Sequence, residues 1–441
     1  MQLRSFIQHA ASVGAISLID RAVAVGLGIV FARWLGPAEF GAYTFVIAAV
    51  GLLLLPARLG LPELLTRDIA TARGNGSELN VRETIRKGYF LVGIAALTIV
   101  AIGQAILHFV PQTSLTQLMK VGLWLIIPTV FFEVTIGVLR GLGRTVAFQF
   151  YGTLLLSGLT LLVSAVGMLA MSRYDADLAV DGRFMAVLLL LVISGVHLWS
   201  LTRHRVVDDP VRARGSWELL RTSLGFMLNA LVYMALMRVD LLILGLIANE
   251  EAVGLYRVAV EGGLLVAFAY GAATTVLAPE YARLYATGEM ESLQLLVRQT
   301  GRLIMAVGLV PAIPIILFSN QIIALVFGAE YSPAGLALSI LAAGHFITFF
   351  FGDPVFLLTM TGHHNRITGL VGIGLALSAI LCLLLIPLFG IAGAGLAASI
   401  SLITYRALAF CAVYRVLGIN CAVVGPVPAA RHAINLNMDT E

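Results

Sequence analysis

The chain has 441 residues, 59% of them hydrophobic and only 12% charged, and its mean hydropathy is +0.96. Soluble domains carry roughly 25% charged residues, so this composition excludes an ordinary soluble enzyme or a nucleic-acid binder. The net charge of +4 reads as basic loops facing anionic lipid.

Apolar runs of 18 or more residues recur along the whole length, each long enough to cross a hydrocarbon core of about 30 Å. In chain order they predict twelve helices, at about 12–33, 41–62, 86–110, 119–141, 146–171, 183–202, 218–247, 254–283, 300–327, 333–361, 367–389 and 391–415. Met1 to Gln8 lead into the first run without a cleavage-site pattern, so helix one is expected to be an uncleaved anchor. One set of loops holds Arg67, Arg73, Arg82, Arg86 and Lys87, then Arg140 and Arg144, then Arg203, Arg205, Arg212 and Arg214, then Arg283, Arg298 and Arg366. The alternate loops are nearly bare of basic residues, and 172–182 carries Asp175, Asp177 and Asp181. By the positive-inside rule both termini are expected in the cytoplasm.

The polar 203–217 stretch, with Pro210, reads as a cytoplasmic linker between one six-helix bundle at 1–202 and another at 218–417. The remainder, 418–441, with Pro426 and Pro428, reads as a loosely ordered cytoplasmic tail. Cys382, Cys411 and Cys421 fall in the last two spans and the tail and form neither a disulfide framework nor a metal cluster pattern. Small-residue patterns such as Gly390-Ile-Ala-Gly-Ala-Gly395 point to close helix packing.

The two halves repeat each other. Gly41-Ala-Tyr43 is echoed by Gly254-Leu-Tyr256, an offset of 213 (254 − 41), and Arg82-Glu-Thr-Ile-Arg86 by Arg298-Gln-Thr-Gly-Arg302, an offset of 216 (298 − 82). Gln104 and Gln321 open matching apolar runs at an offset of 217 (321 − 104), and Leu139–Gly143 matches Leu358–Gly362 at 219 (358 − 139). The offset grows monotonically, as it does when two copies of one unit collect short insertions. A membrane protein of two similar halves is usually a transporter, because one half can rock against the other.

A charge at bilayer depth costs roughly 2.5–3.5 kcal/mol on insertion scales, so those retained usually face a cavity or a partner. Asp20 and Arg21 lie in helix one, Arg58 near the cytoplasmic end of helix two, Glu133 in helix four and Asp353 in helix ten. Arg238 and Asp240 lie in helix seven, and Arg257 and Glu261 in helix eight. Arg257 and Glu261 are four apart, which suits an internal ion pair as well as a ligand role. Arg58 suits snorkelling to headgroups as well as a cavity, and Glu133 and Asp353 suit interhelical hydrogen bonding. His197, His345, His363 and His364 read as packing or loop residues, and no metal site is expected. Of the 28 basic residues only Lys87 and Lys120 are lysine. Guanidinium grips phosphate in a bidentate fork that ammonium lacks, so Arg21, Arg58, Arg238 and Arg257 form a candidate ladder for a phosphate headgroup. Asp20, Glu133 and Asp240 are the candidates for coupling transport to protons or sodium, and no other cofactor is expected.

The block Arg33-Trp-Leu-Gly-Pro-Ala-Glu-Phe-Gly-Ala-Tyr43, continued by Leu59-Gly-Leu-Pro-Glu-Leu-Leu-Thr-Arg-Asp-Ile-Ala70, resembles the bacterial polysaccharide (O-antigen type) flippases. These belong to the multidrug/oligosaccharidyl-lipid/polysaccharide exporter superfamily. Arg238-Val-Asp-Leu-Leu-Ile-Leu-Gly245 followed by Glu251-Ala-Val-Gly-Leu-Tyr256 resembles the signature of the second half. The resemblance implies an all-α membrane protein of two pseudo-symmetric six-helix bundles in a V around a central cavity lined by helices one, two, seven and eight. It implies a flippase in the bacterial inner membrane, moving undecaprenyl-pyrophosphate-linked oligosaccharide outward for surface polysaccharide (lipopolysaccharide O-antigen) synthesis. Implied partners are that lipid-linked oligosaccharide, membrane lipids, and polysaccharide polymerase and chain-length machinery. The alternative is a cation-coupled multidrug exporter of the same superfamily. A polymerase or ligase fits poorly, because the outer loops are short and lack a catalytic grouping.

Overall fold

The computed structural model describes residues 2–75, 81–203 and 215–423, and among them every regular element is a helix. The first elements are α1 (Gln2–Arg58), α2 (Leu61–Asn75), α3 (Val81–Phe109), α4 (Ser114–Leu123) and α5 (Ile126–Gly141). They are followed by α6 (Thr145–Gln149), a π-helical turn Phe150–Leu155, α7 (Leu156–Met171), α8 (Ala176–Thr202), α9 (Ser216–Leu236) and α10 (Val239–Ile247). Then come α11 (Glu250–Ala286), α12 (Met290–Leu317), α13 (Ser319–Val326), a 3₁₀ turn Ala329–Ala334, α14 (Gly335–Thr348), α15 (Pro354–Met360) and α16 (His364–Leu417).

Nine of the described segments are long and apolar enough to cross a membrane. Two of them hold two spans each. α1 is continuous for 57 residues but broken at Gly36 (φ 73°, ψ 172°), where Pro37 has no N–H to continue the ladder. α16, 54 residues long, is broken in the same way at Gly390 (φ 56°, ψ −132°). With α11, 37 residues long, the count reaches the expected twelve.

Several expected helices are interrupted. Helix seven divides into α9 and α10 at Met237–Arg238, and helix four into α4 and α5 at Trp124–Leu125. The expected helix at 300–327 lies ten residues earlier, as α12, and stops at Phe318 before the separate α13. Helix ten is cut at Gly352, whose φ of 67° only glycine adopts freely. Apolar content locates a span well, but not the end of a helix that a more polar extension such as Met290–Gln299 prolongs beyond the apolar run. For the same reason the expected 63–85 loop is helical as far as Asn75.

The chain forms two compact units, residues up to Leu255 and residues from Tyr256. In the first, α5 is the central helix, with Val130, Phe132, Val134 and Leu139 fully or nearly fully buried. Thr66 of α2 ties to α5 by donating its hydroxyl to the Gly137 carbonyl at 2.8 Å. The α1 stretch after Gly36 lies along α10 and the start of α11. The repeat-related glycines Gly41 and Gly254 meet there: a Cβ on Gly41 would lie 1.7 Å from the Glu250 carbonyl oxygen and 2.8 Å from the Gly254 nitrogen.

In the second unit α14 packs on α16, with the Ser399 hydroxyl bonded to the Ile340 carbonyl at 3.1 Å. The segment after α16, read from sequence as loosely ordered, is docked as far as Val423. The Gln294 side-chain amide grips Asn420 through both its N–H and its C=O, each at 2.7 Å. Cys421 is fully buried beside Tyr281, Leu284, Leu293 and Leu357, and the Val423 N–H donates to the Phe350 carbonyl at 3.2 Å. Ile419, Cys421 and Val423 have an alternating apolar pattern too short to read as an element, yet it seals the end of this unit.

Candidate functional site

Arg58 is the last residue of α1, and the chain turns there through two left-handed residues, Leu59 (φ 56°) and Gly60 (φ 67°). A left-handed leucine is strained by about 1–3 kcal/mol, the kind of outlier that clusters at functional sites. The turn sends the chain from α1 directly into α2, whose first turn carries Glu63. Arg58 uses its two terminal nitrogens on two acids, Nη1 on Glu133 at 3.0 Å and Nη2 on Glu63 at 3.1 Å. Its side chain is 17% exposed, against 25% for Glu133 and 37% for Glu63. The other Glu63 oxygen, Oε2, is buried and accepts no hydrogen bond within the described residues. Arg183, two turns into α8, lies close enough to act electrostatically on Glu133, and its Nη1 donates to Thr160 Oγ1 at 3.3 Å. Two arginines and two carboxylates from α1, α2, α5 and α8 therefore form one charge-balanced cluster.

The other predicted residues are distributed differently. Arg257 is ion-paired with Glu261 one turn further along α11, so the internal pair suggested by their spacing is formed. Arg238 and Asp240 flank the break between α9 and α10: Arg238 occupies the cap position, and Asp240 Oδ1 accepts the Leu241 N–H at 2.8 Å. A helix broken at membrane depth is how many transporters build substrate sites. Asp20 and Arg21 belong to α1, and their side chains lie outside the described residues. Among the described residues no group of three or more His, Cys, Asp or Glu side chains could hold a metal ion.

In the second unit Asp353 is almost fully buried. It caps α15 by accepting the Phe356 N–H at 3.3 Å and sits 3.9 Å from Arg406 of α16. Sequence reasoning missed Arg183 and Arg406, although the repeat contains the signal. Glu133 and Asp353 are offset by 220 (353 − 133), and Arg183 and Arg406 by 223 (406 − 183), which continues the drift from 213 to 219. Each half thus holds an acid from its fourth predicted helix near an arginine from its sixth. Glu63 was visible only as part of a motif, because its partner Arg58 lies across a turn whose direction the sequence does not give.

The helical fold is similar to that of solved structures of transporters and a flippase. A structure described as an inward-facing multidrug resistance MATE family transporter superposes with a TM-score of 0.71 at 18% identity, covering 90% of this chain and 94% of that one. The lipid II flippase MurJ, in an inward closed conformation, gives 0.73 at 13% identity, over 91% of this chain and 87% of that one. A superfamily transporter from Pyrococcus furiosus, described as having a binding pocket of reverse polarity, gives 0.62 at 17% identity, over 93% and 95%. No match arises among curated protein sequences. The family profile described as "Polysaccharide biosynthesis protein" matches residues 6–284, which is 279 (284 − 6 + 1) of the 441, and the chain belongs to that family.

Proposed function

We propose that this protein is a flippase that moves an undecaprenyl-pyrophosphate-linked oligosaccharide from the inner to the outer leaflet of the bacterial inner membrane, for surface polysaccharide synthesis. The supporting observation is membership of the polysaccharide biosynthesis family in a chain in which 26 of the 28 basic residues (28 − 2, the exceptions being Lys87 and Lys120) are arginine. Guanidinium matches a diphosphate in geometry as well as charge, whereas an exporter of organic cations needs mainly acids facing its substrate. In this reading both termini are cytoplasmic, and the halves 1–202 and 218–417 alternate in access. Arg21, Arg58 and Arg238 receive the pyrophosphate while the polyprenyl tail stays in lipid. Arg257, held by Glu261, contributes only where that pair opens. Asp20, Glu133 and Asp240 are the residues through which a proton or sodium gradient would act.

The test is reconstitution into vesicles carrying a fluorescent polyprenyl-pyrophosphate oligosaccharide, with externally added glycosidase reporting the exposed fraction. Protein-dependent crossing of the labelled lipid is expected. Extrusion of organic cations without lipid crossing would replace this reading by that of a drug exporter.

A further inference from the structure

The repeat permits an internal comparison. Both units carry the brace of one acid and one arginine, Glu133 with Arg183 and Asp353 with Arg406. In the second unit it is closed: Asp353 is 3% exposed, its Oδ1 is used by the α15 cap, and Arg406 approaches at 3.9 Å. In the first unit the same brace is extended by Arg58 and Glu63. The first-half offset of 213 puts the counterpart of Arg58 at residue 271 (58 + 213), which is glycine, so the repeat does not supply a second Arg58. It is also more open, with Glu133 at 25% and Glu63 at 37% exposed.

Arg58 spends both terminal nitrogens on carboxylates, one oxygen from each acid. Those two oxygens occupy the positions that two oxygens of a phosphate would take on a guanidinium fork. One acid is placed loosely for this task. Glu63 stands in the first turn of α2, just after the strained Leu59–Gly60 turn, and its second oxygen is buried without a donor among the described residues, so leaving Arg58 for water would satisfy it better. Glu133 is the tighter partner, since Arg183 remains beside it when Arg58 departs.

We propose that Glu63 and Glu133 are stand-in ligands for the substrate phosphate, holding Arg58 in the unloaded protein and yielding it to a pyrophosphate headgroup, with Glu63 the first to leave. The inference rests on the flippase reading and deepens it. It assigns Glu63 a role and joins Arg58 and Glu133 in one exchange, so the two acids set affinity by competition rather than by contact with substrate. Displaced Glu63 swings into water from the first turn of α2, and displaced Glu133 keeps Arg183 as counter-charge. The loaded cluster then carries the added charge of the headgroup against two arginines. A competing internal ligand lowers apparent affinity by the fraction of time it occupies the site.

The experiment measures binding of a fluorescent polyprenyl pyrophosphate, without glycan, to the full-length protein in phosphatidylcholine nanodiscs. Glu63→Gln removes the competing charge and keeps the shape, and it should tighten binding about fivefold or more, within the usual range of coupling factors. Glu133→Gln should tighten it as well, and Arg58→Gln should weaken it about tenfold or more. Asp353→Asn, the matching change in the closed brace, should lower thermal stability and leave the dissociation constant unchanged. If wild type binds the probe and Glu63→Gln binds no more tightly, the exchange is overturned while the flippase reading stands. If wild type and all variants fail to bind, both are overturned. Glu63 is more than one-third exposed, so its variant does not depend on repacking a core.

Discussion

Arg58 is shared between two acids, whereas Arg257 has a single acid one turn away on its own helix. Loss of Glu261 leaves Arg257 able to snorkel, while loss of Glu133 removes the deeper of the two partners of Arg58. Arg21 and Arg238 each have an acid close in sequence, Asp20 and Asp240, and Arg238 stands at the cap of α10. Replacement of Arg21 or Arg238 by Lys keeps the charge but loses the fork, and it should impair flipping. Replacement by Ala should abolish it, with a loss of about 1.5–3 kcal/mol per charge-assisted contact. Surface polysaccharide in cells expressing each variant at wild-type level is the readout, and normal polymer would mark these as structural charges. Asp20→Asn and Asp240→Asn should blunt the response of flipping to an imposed proton or sodium gradient in vesicles. A wild-type response from both would move the coupling to Glu133. Asp353 is expected to act structurally: Asp353→Ala strips the cap from α15 and removes the acid 3.9 Å from Arg406. Thermal unfolding in detergent should show a loss on the order of 3 kcal/mol.

At the scale of elements, two contacts carry more than their size suggests. The Gly41–Gly254 crossing leaves no room for a side chain, since a Cβ on Gly41 would fall 1.7 Å from a backbone oxygen. Gly41→Ala must therefore part the two helices, at about 1–3 kcal/mol by the usual cost of overpacking. A fall in melting temperature together with lost flipping is expected, and a variant as stable as wild type would contradict the packing. The docked segment after α16 has its own reporter. Burial raises the Cys421 thiol well above its ordinary range, so it should stay a thiol and resist maleimide until the segment is released. Gln294→Ala removes both hydrogen bonds to Asn420 and should accelerate Cys421 alkylation several-fold, measured by mass spectrometry on a variant lacking Cys382 and Cys411.

For the molecule as a whole, the sharpest expectation is topological. Arginine-rich and bare loops alternate along the chain, so reporters fused after Asp177 and after Arg212 should lie on opposite sides of the membrane. Identical sides would remove α8 as a complete span. The repeat makes a second expectation at this scale: matched substitutions in the two halves should not be equivalent. Glu133 and Asp353 occupy corresponding places, but Glu133 is partnered by Arg58, whose repeat-related position 271 is glycine. Changes at Glu133 should act on binding and changes at Asp353 on stability.

Sequence by itself determined the class, the number of spans and the pairing of halves, because each depends on local or averaged quantities. Twenty apolar residues cost too much to leave in water wherever they fold, and loop charge acts before any tertiary contact forms. The gap between the predicted helices 12–33 and 41–62 contains the break observed at Gly36–Pro37, since backbone chemistry there is local. The Arg257–Glu261 pair was legible for the same reason, as one helical turn fixes its geometry. Only the tertiary structure decided that Arg58 meets Glu133, 75 residues away, because that depends on how α1, α2 and α5 pack around a left-handed turn. It alone placed Arg238 at a helix break and docked the segment after α16, whose few apolar residues are too short a signal until Gln294 and Gly352 make room for them. Charge and hydropathy tell a residue which medium it must avoid, whereas its partner is chosen by packing between distant elements.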